Sequence, residues 1–510
     1  MDERARIPVT LPRDNPTRSY WQDPPDDIAD LRTTPDLPAT ADVVIIGSGI
    51  TGAAVAWNLL QDGNGSGGSD ISSTPPGIVM LEARQACSGA TGRNGGHTKA
   101  ASYRSFLANA DALGAPAAAK IARLELANIN AVHAFAREHA IPCDSNPCRT
   151  VDIIYDEAHW REAHEAVEAM RAALGPDDPA AEYTFHNAEE ARARFYCAGD
   201  ADPDREPVGA VSYAAGSISG YGFGVGVLKL ALARGLNLQT GTPAVSLGRC
   251  ADGSGRWEVG TPRGRVVAGR VVLATNGYTA RLWEAFQGAV VPLRGQVTAQ
   301  RPGANMPRDG LPTTYSFIYE NGYEYMVPRP PGSRHAGDIV IGGGLVKAPQ
   351  EGLLEYGTTD DTTIDGDISA YLRDTTARCF GRNWGHDHPG GRVRSEWTGI
   401  MGYSPDGLPF VGEVPGSSGG LWASCSFQGH GMVLCWMCAR AMVRMMRGGG
   451  DGDLLDGWFP REFVISEERL RKRFRGRLHT SAAEDHPVRD DHQQPADMDT
   501  MDLGLAPGPP

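Results

Sequence analysis

Two short apolar runs near the beginning of the chain are separated by a segment with helical spacing. Residues 41–46 (ADVVII) and 78–82 (IVMLE) predict buried strands of a parallel sheet. Residues 49–60 repeat apolar positions at the helical period and predict a connecting helix, and the Gly-, Ser- and Pro-rich stretch 62–77 predicts a surface loop. This strand–helix–strand order is typical of an α/β fold.

Helical and strand patterns continue along the rest of the chain. Helices are predicted at about 108–137, 159–174 and 432–447, and strands at 151–155, 323–327, 338–342 and 421–423. The stretch 241–276 predicts a three-stranded meander that returns to a buried strand at 270–274. Residues 1–40 are polar and proline-rich, and they predict an extended arm that the aromatic pair Tyr20 and Trp21 docks onto the body.

The composition is that of a globular protein long enough for two or three domains. The 510 residues are 41% hydrophobic and 22% charged, with a net charge of -14. This charge argues against nucleic acid or an anionic membrane as a partner, and no apolar run reaches membrane-spanning length. The nine cysteines follow no disulfide frame and the first residues do not resemble a secretory signal, so a cytoplasmic location is expected. The triplet 386–388 (HDH) lacks further ligands at zinc spacing, and no metal is expected.

The turn between the first strand and its helix has the spacing G-x-G-x-x-G. Gly47 permits a tight turn, Gly49 lets the backbone approach a pyrophosphate, and Gly52 lets helix and strand pack closely. The N–H groups at the start of the helix, around Ile50 and Thr51, then face the phosphates. Glu82 ends the second strand, where a carboxylate accepts hydrogen bonds from ribose hydroxyls. The pattern predicts a dinucleotide site, for which NAD and FAD are both candidates.

The segment after Glu82 distinguishes between these two cofactors. Residues 83–97 (ARQACSGATGRNGGH) resemble the FAD-dependent D-amino-acid oxidase and glycine oxidase superfamily, with most similarity to its γ-glutamylputrescine oxidoreductase-like branch and to fungal FAD-dependent oxidoreductases. The resemblance extends over roughly residues 20–447. Its further blocks are residues 242–245 (TPAV), 272–278 (VLATNGY), 292–297 (PLRGQV), 397–412 (WTGIMGYSPDGLPFVG) and 427–432 (FQGHGM).

This resemblance implies non-covalent FAD, since the stretch corresponding to the cysteine attachment site of monomeric sarcosine oxidases has no cysteine. It also implies a set of FAD-binding residues beyond the first turn and Glu82. They are Ala83, Arg84, Ala90, Thr91, Gly92, Arg93, Asn94, Gly95, Gly96, Val245, Thr275, Asn276, Gly277, Gly407, Gly429, Gly431 and Met432. The helix that begins near residue 429 offers free N–H groups to the negative charge of reduced flavin.

The substrate side is expected to contain three residues with catalytic or lining roles. By resemblance, His430 and His97 lie near the flavin ring, and Tyr325 lies on a strand that lines the substrate cavity. The structural alternative for His430 is a helix-capping residue without a catalytic role. The structural alternative for Tyr325 is a core tyrosine. Lys99, Arg104 and Arg294 are candidates for binding a substrate carboxylate, and a surface cation or a cation on the pyrophosphate side is the alternative for each.

The predicted architecture is α/β, with a Rossmann-type FAD-binding domain interleaved with a mixed-sheet α+β substrate domain. The arm is residues 1–40, the FAD-binding domain is 41–105, 212–290 and 391–447, and the substrate domain is 106–211 and 291–390. A helical segment at 448–478 and a disordered tail at 479–510 complete the chain.

The leading interpretation is an enzyme that oxidises the C–N bond of a small amine or amino acid to an imine by hydride transfer to FAD. An NAD-dependent dehydrogenase and a flavin-fold protein with a non-catalytic role are the alternatives. The electron acceptor, oxygen or another carrier, is left open.

Overall fold

The computed structural model describes residues 1–61, 77–197, 206–320, 322–448 and 457–477. The predicted tail at 479–510 and all but the last residue of the predicted loop at 62–77 lie outside the described residues.

The strands are β1 (Thr40–Ile46), β2 (Ile78–Leu81), β3 (His97–Thr98), β4 (Asn146–Ile154), β5 (Tyr183–Asn187), β6 (Gly209–Ser217), β7 (Asn237–Gln239), β8 (Ser246–Arg249), β9 (Trp257–Thr261), β10 (Gly264–Leu273), β11 (Val291–Gln300), β12 (Thr314–Tyr319), β13 (Gly322–Pro328), β14 (Ile339–Gly343), β15 (Val393–Tyr403), β16 (Phe410–Glu413) and β17 (Leu421–Cys425). The helices are α1 (Asp2–Ala5), α2 (Ile50–Gln61), α3 (Tyr103–Leu113), α4 (Ala115–Glu138), α5 (Glu157–Leu174), α6 (Ala188–Phe195), α7 (Gly220–Leu232), α8 (Gly366–Phe380), α9 (Cys435–Met446) and α10 (Glu467–Arg471).

The first sheet contains the two strands predicted near the beginning of the chain. Its order is β16-β17-β10-β1-β2-β7, and all neighbours are parallel except β16, which is antiparallel to β17. Alternate residues of β1 enter two cores: Val43 and Ile45 pack with α2, α7 and α9, whereas Val44 and Ile46 face the core that includes the β8–β9–β10 meander. Burial on both faces explains the unbroken apolar sequence of this strand.

The second sheet has the order β15-β11-β14-β13-β12-β4-β6-β3, with β5 paired to β6. Its neighbours are antiparallel except for β4 and β12. Helices α3 and α5 pack on one face, and α8 packs on the other. A parallel sheet with helices beside a mixed sheet confirms the predicted fold class.

The predicted helix at 108–137 is wrong in one respect, because two helices occupy this region. Gly114 has a φ of 88° and separates α3 from α4, and Pro116 stands in the first turn of α4. A positive φ is accessible to glycine at little cost, and proline suits the beginning of a helix. The helix predicted from residue 432 also begins slightly later, since a 3-10 turn at Gly431–Val433 precedes α9.

Strands of the two sheets alternate along the chain. β6 crosses the predicted domain boundary at 211/212, and β15 lies inside the segment 391–447 that was assigned to the FAD-binding domain. Both strands belong to the second sheet, because β6 pairs with β4 and β15 pairs with β11. The domain boundaries themselves stay a prediction.

The aromatic pair of the N-terminal arm packs against the body, as predicted. Trp21 is buried, and its Nε1 donates a hydrogen bond to the Asn94 carbonyl oxygen at 2.6 Å. The ring of Tyr20 stacks on that of Trp397, with centroids 6.0 Å apart and planes 10° apart. The arm therefore contacts both β15 and the segment that joins β2 to β3.

A buried ion-pair cluster holds the β2–β3 segment against the second sheet. The Asp361 side chain is 1% exposed, and its Oδ2 lies 3.0 Å from Nη1 of Arg84 and 3.6 Å from Nε of Arg93. Arg93 also donates hydrogen bonds to the carbonyl oxygens of Thr398 in β15 and Thr17 in the arm, at 2.7 and 2.6 Å. The Asp361–Arg93 pair thus connects the β2–β3 segment with β15 and with the arm.

We expect Asp361→Ala to lower the free energy of unfolding by about 3–5 kcal/mol, because it leaves two buried guanidinium groups without their carboxylate. Urea unfolding followed by tryptophan fluorescence measures this change. Asp360→Ala is the matched control, since Asp360 is partly exposed, pairs with Arg13 at 3.7 Å and accepts hydrogen bonds from Thr362 two residues along the chain. The control is expected to lose about 1 kcal/mol or less, and equal losses in the two variants would contradict the prediction.

Candidate active site

The turn between β1 and α2 leaves no room for side chains at two of its glycines. Gly47 has a φ of 104°, and a Cβ there would lie 2.5 Å from the Ala274 carbonyl oxygen beyond β10. A Cβ at Gly52 would lie 2.0 Å from the carbonyl oxygen of Gly47. The helix therefore begins in close contact with its strand, with its N-terminus directed at the space beyond the sheet.

Glu82 is fixed beside this turn by three protein donors. Its Oε2 accepts hydrogen bonds from Ser48 N at 3.1 Å and Ser48 Oγ at 2.6 Å, and its Oε1 accepts one from Arg84 N at 2.9 Å. Across the turn, Thr91 Oγ1 accepts from Ile50 N at 2.9 Å. The sequence predicted Glu82 and Thr91 at this site, and the structure adds Ser48 as the residue that joins turn and carboxylate.

A continuous cavity of about 1820 Å³ extends from this turn to the second sheet. Ligand cavities are commonly about 300–1,000 Å³, so this one has room for a dinucleotide together with a small substrate. The predicted residues that line it are Gly47, Gly49, Ile50, Thr51, Glu82, Ala83, Arg84, Ala90, Thr91, Arg93, Asn94, Gly95, His97, Thr275, Asn276, Tyr325, Gly407, Gly429, His430, Gly431 and Met432. A glycine turn, a helix N-terminus and a fixed carboxylate on one wall fit the pyrophosphate and ribose of FAD.

Five predicted residues lie behind the wall of this cavity. Gly52, Gly92, Gly96 and Gly277 each pack so closely against backbone that a Cβ would lie 2.0–2.5 Å from a carbonyl oxygen. Val245 donates its N–H to the Gly260 carbonyl oxygen at 2.8 Å, and its neighbour Ala244 lines the cavity instead. These positions support the shape of the wall.

The guanidinium groups of Arg84 and Arg93 are held by protein partners. Besides Asp361, Arg93 contacts Ser88, Thr17 and Thr398, and Arg84 donates to the Ser88 carbonyl oxygen at 3.3 Å. Burial lowers the pKa of Arg93 to about 10, while Asp361 acts in the opposite direction, so the group stays charged at neutral pH. The sequence identified both arginines but not their distant carboxylate.

The loop before α9 is held in an unusual backbone conformation. Gln428 has a φ of 54°, and its side chain accepts from Ser404 N at 3.1 Å and donates to Ser404 Oγ at 2.8 Å. Asn276 Oδ1 accepts from Ser426 N at 3.0 Å. These bonds fix residues 429–432 along the cavity with the start of a 3-10 turn among them.

The block at residues 397–412 contacts a partner in α10 that the sequence did not indicate. Asp406, which precedes Gly407, receives two hydrogen bonds from Arg469 in α10, at 2.9 and 3.0 Å. Arg469 also donates to the carbonyl oxygens of Leu408 and Pro409 at 3.1 Å each. The segment around α10 is therefore attached to this turn.

Tyr325 of β13 fits between two glycines. A Cβ at Gly95 would lie 2.2 Å from the tyrosine ring, and one at Gly342 would lie 2.3 Å from its hydroxyl oxygen. The ring centroid lies 6.1 Å from that of His97, whose Nε2 is 2.7 Å from Thr314 Oγ1. Burial raises the pKa of Tyr325, so its phenol stays protonated.

Both candidate histidines are neutral at physiological pH. Burial, and then the charge of Lys99, holds the pKa of His97 well below its usual range. Burial in the cavity wall also lowers the pKa of His430 to about 4, with smaller effects from Arg477, Arg104 and Lys99. Neither imidazole changes its charge between pH 6 and 9.

Lys99 also lines the cavity, but a buried network occupies its ammonium group. Its Nζ lies 2.5 Å from Asp152 Oδ1 and donates a hydrogen bond to Ser316 Oγ. Tyr103 and Tyr213 donate to Asp152 Oδ2 at 2.8 Å each. Burial lowers the pKa of Lys99, and Asp152 opposes this effect.

The other two cationic candidates also line the cavity and have protein contacts. Arg294 forms a bidentate ion pair with Glu355, with Nε 2.5 Å from Oε2 and Nη2 2.8 Å from Oε1. The guanidinium of Arg104 lies over the Tyr323 ring, 4.7 Å from its centroid.

Glu125 of α4 is a cavity-lining carboxyl group that the sequence analysis missed. It is 7% exposed and accepts a hydrogen bond from Ser102 Oγ at 2.5 Å. Its spacing in the sequence could have identified it, since residue 125 falls on the buried face of α4 together with Ile121, Asn128 and Val132. A charged residue at a core position of an amphipathic helix is a candidate for function.

Within the described ranges, no group of three or more His, Cys, Asp or Glu side chains is arranged to hold a metal ion. No helix among them is long and apolar enough to cross a membrane.

The fold and the cavity define a flavin-dependent oxidoreductase. The chain belongs to the DAO family of FAD-dependent oxidoreductases, whose model matches residues 42–445. FAD is therefore the cofactor, which decides against the NAD alternative.

Individual proteins show the same relationship. The chain is 24% identical over 418 residues to the probable oxidoreductase OrdL of Rhizobium meliloti (strain 1021), covering 81% of this chain and 85% of that protein. It is 26% identical over 223 residues to a glycine oxidase of Pseudomonas aeruginosa, covering 43% of this chain and 53% of the oxidase. Glycine oxidase from Geobacillus kaustophilus has a similar structure, with a TM-score of 0.62 at 18% identity, covering 84% of this chain and 99% of that one. L-amino acid deaminase from Proteus vulgaris, in a form that lacks its specific insertion sequence, gives a TM-score of 0.60 at 16% identity, covering 91% of this chain and 100% of that one.

We expect Glu82→Arg to abolish FAD binding in a folded apoprotein, because it removes the ribose acceptor and introduces a cation beside the turn. The loss of a charged hydrogen-bonding group corresponds to about 2–5 kcal/mol of affinity. Flavin absorbance per protein measures the cofactor content, and circular dichroism checks the fold.

Glu82→Gln is the matched control, since the amide keeps the size and one acceptor oxygen. It is expected to retain a measurable fraction of the flavin. Normal flavin content in the arginine variant would show that another group holds the ribose.

Proposed function

We propose that this enzyme oxidises the C–N bond of a small amine or amino acid to an imine, which water then hydrolyses. One observation carries the proposal: the cavity that begins at the Gly47 turn continues without interruption to neutral His97, neutral His430 and Tyr325. The names of similar proteins, glycine oxidase and L-amino acid deaminase, support an amino acid or amine as substrate. Membership in the γ-glutamylputrescine oxidoreductase-like branch, with its fungal members, is part of the proposal and rests on the sequence blocks.

When bound, FAD supplies the acceptor for the hydride that leaves the carbon next to nitrogen. The N–H groups of Gly429, Gly431 and Met432 would stabilise negative charge on the flavin, whereas the N–H of His430 donates to the Phe427 carbonyl oxygen at 2.7 Å. Tyr325 and His97 form the uncharged wall beside the reacting carbon and exclude water from it. Because both histidines are neutral, they do not repel the positive charge that develops on nitrogen.

We further propose that FAD is held without a covalent bond. Cys435 lines the cavity, but burial raises the pKa of its thiol to about 12, so it stays protonated and weakly nucleophilic. The purified protein is expected to be yellow and to release its FAD on acid precipitation. Absorbance of the supernatant and pellet measures this, and flavin that remains in the pellet would contradict non-covalent binding.

An anaerobic screen of amines and amino acids tests the reaction itself. We expect at least one of them to bleach the flavin absorbance, and the bleaching rate at saturating substrate to rise between about pH 6 and 9. An ammonium group cannot assist hydride loss, and free alkylamines have a pKa of about 10.4, so the reactive form becomes more abundant as the pH rises.

His430→Ala is the control for this pH profile. Since the His430 pKa is about 4, the variant is expected to be slower but to keep the rising limb. A flat profile, or a rate that falls with pH for every amine tested, would favour an alcohol or hydroxy acid as substrate.

A further inference from the structure

Glu125 lies close to the element expected at the flavin ring. It projects from α4 into the same cavity as Ile121, about one helical turn before Asn128. Asn128 Nδ2 donates to the Met432 carbonyl oxygen at 3.1 Å, and Asn128 Oδ1 accepts from Met437 N at 2.9 Å. These two bonds anchor α4 to the start of α9, so the position of Glu125 is fixed relative to residues 429–432.

Few protein groups stabilise the charged form of this carboxyl group. Ser102 Oγ is its hydrogen-bond donor, and within the described part of the chain no ion pair or second hydrogen bond to Glu125 is found. A buried carboxylate with one neutral donor is costly to keep ionised. Burial accordingly raises the pKa of Glu125 to about 7, although the Ser102 hydrogen bond acts in the opposite direction.

The titratable groups around Glu125 come from several elements. Tyr183 of β5 interacts electrostatically with Glu125, and its ring centroid lies 5.3 Å from that of Tyr103 in α3. Lys99 next to β3, Arg104 of α3, His430 and Cys435 of α9 line the same cavity. Burial raises the pKa values of Tyr103, Tyr183 and Cys435, so these groups stay protonated at neutral pH. His430 is neutral in the same range, and Arg477, Arg104 and Lys99 are the cations that act on it.

Two other cavity-lining groups are less suited to accept a proton. The ammonium of Lys99 is paired with Asp152 and bonded to Ser316, so its hydrogens are directed at protein acceptors. Glu324 precedes Tyr325 on β13, so its side chain points to the opposite face of the sheet. Of the two carboxyl groups, Glu125 is the one whose side chain faces the cavity, near the 3-10 turn at Gly431–Val433 that precedes α9.

We propose that Glu125 accepts the proton that the substrate ammonium group must lose before its C–H bond breaks. This inference rests on the proposed function. In this step R₂CH–NH₃⁺ and the Glu125 carboxylate become R₂CH–NH₂ and the Glu125 carboxylic acid. The carbon then loses a hydride to FAD, the oxidant, and the nitrogen lone pair forms the C=N bond of the iminium product.

Glu125→Gln in the holoenzyme tests the proposal by anaerobic flavin reduction with an amine that reduces the wild type. At about pH 7 the variant is expected to be slower by about tenfold or more, because only amine that is already neutral reacts. At about pH 10 the two rates should agree within about threefold, since neutral amine is then abundant. The rising limb should therefore move to higher pH in the variant.

Two further variants separate proton transfer from a structural effect. Glu138→Gln replaces an exposed glutamate at the end of the same helix and should leave the profile unchanged. Ser102→Ala removes the donor that lowers the Glu125 pKa, so its limb should move to higher pH while the plateau rate is kept. A merely structural role for Glu125 would not produce this shift.

Thermal unfolding of the holoenzyme provides a readout without substrate. Because the Glu125 pKa is raised in the folded protein, protonation stabilises the fold at acid pH, and this stabilisation is lost as the pH rises through about 7. Between about pH 5.5 and 8.5, the Tm of Glu125→Gln should therefore fall less than that of the wild type.

The outcomes separate this inference from the proposed function. If no amine or amino acid bleaches the wild-type flavin, the proposed function fails. A second outcome is that amines bleach the wild-type flavin while the bleaching rate of Glu125→Gln rises over the same pH range as in the wild type, or is lower by the same factor at every pH. In either case Glu125 is not the proton acceptor. If Glu125→Gln does not fold, an unshifted limb in Ser102→Ala overturns the inference.

Discussion

The buried charge of Asp361 is the constraint on which the cofactor side of the cavity depends. Arg93 lies between this carboxylate, the Thr17 carbonyl oxygen of the arm and the Thr398 carbonyl oxygen of β15. The segment that contains Arg93 also contains Thr91, which contacts the start of α2. A charge that cannot be solvated must keep its partners, so this segment has one position relative to both sheets.

At β13 the second sheet meets this segment through packing rather than charge. Tyr325 fits against Gly95 so closely that a Cβ at residue 95 would overlap its ring. Ion pairs on one side of the segment and aromatic packing on the other therefore define a wall that extends from Thr91 to His97. This one fixed segment borders the cavity both at the Gly47 turn and at Tyr325.

Local features of the site were predictable from the sequence, whereas distant partners were not. Gly47, Gly52 and Glu82 lie within one strand–helix–strand unit, where spacing determines contact. Arg84 was identified, but its partner Asp361 is 277 positions away in the chain, and no local pattern connects the two residues. The helix break at Gly114 was hidden because alanine-rich sequence on both sides continues the helical pattern, although glycine followed by Pro116 was an available signal.

Glu82 and Glu125 both line the cavity, but they differ in the number of protein donors that contact them. Three protein donors contact Glu82, so its carboxylate is held in one orientation beside the turn between β1 and α2, where we propose that it accepts from the ribose hydroxyls. A single hydroxyl contacts Glu125, and the low polarity around it makes the acid and the carboxylate similar in free energy near neutral pH. A group with this balance takes up and releases a proton at small cost, which suits a reaction whose substrate enters as a cation and reacts as a neutral amine. Glu82 is therefore held in place by its donors, whereas Glu125 can exchange its proton. The difference follows from the number of donors that each side chain contacts.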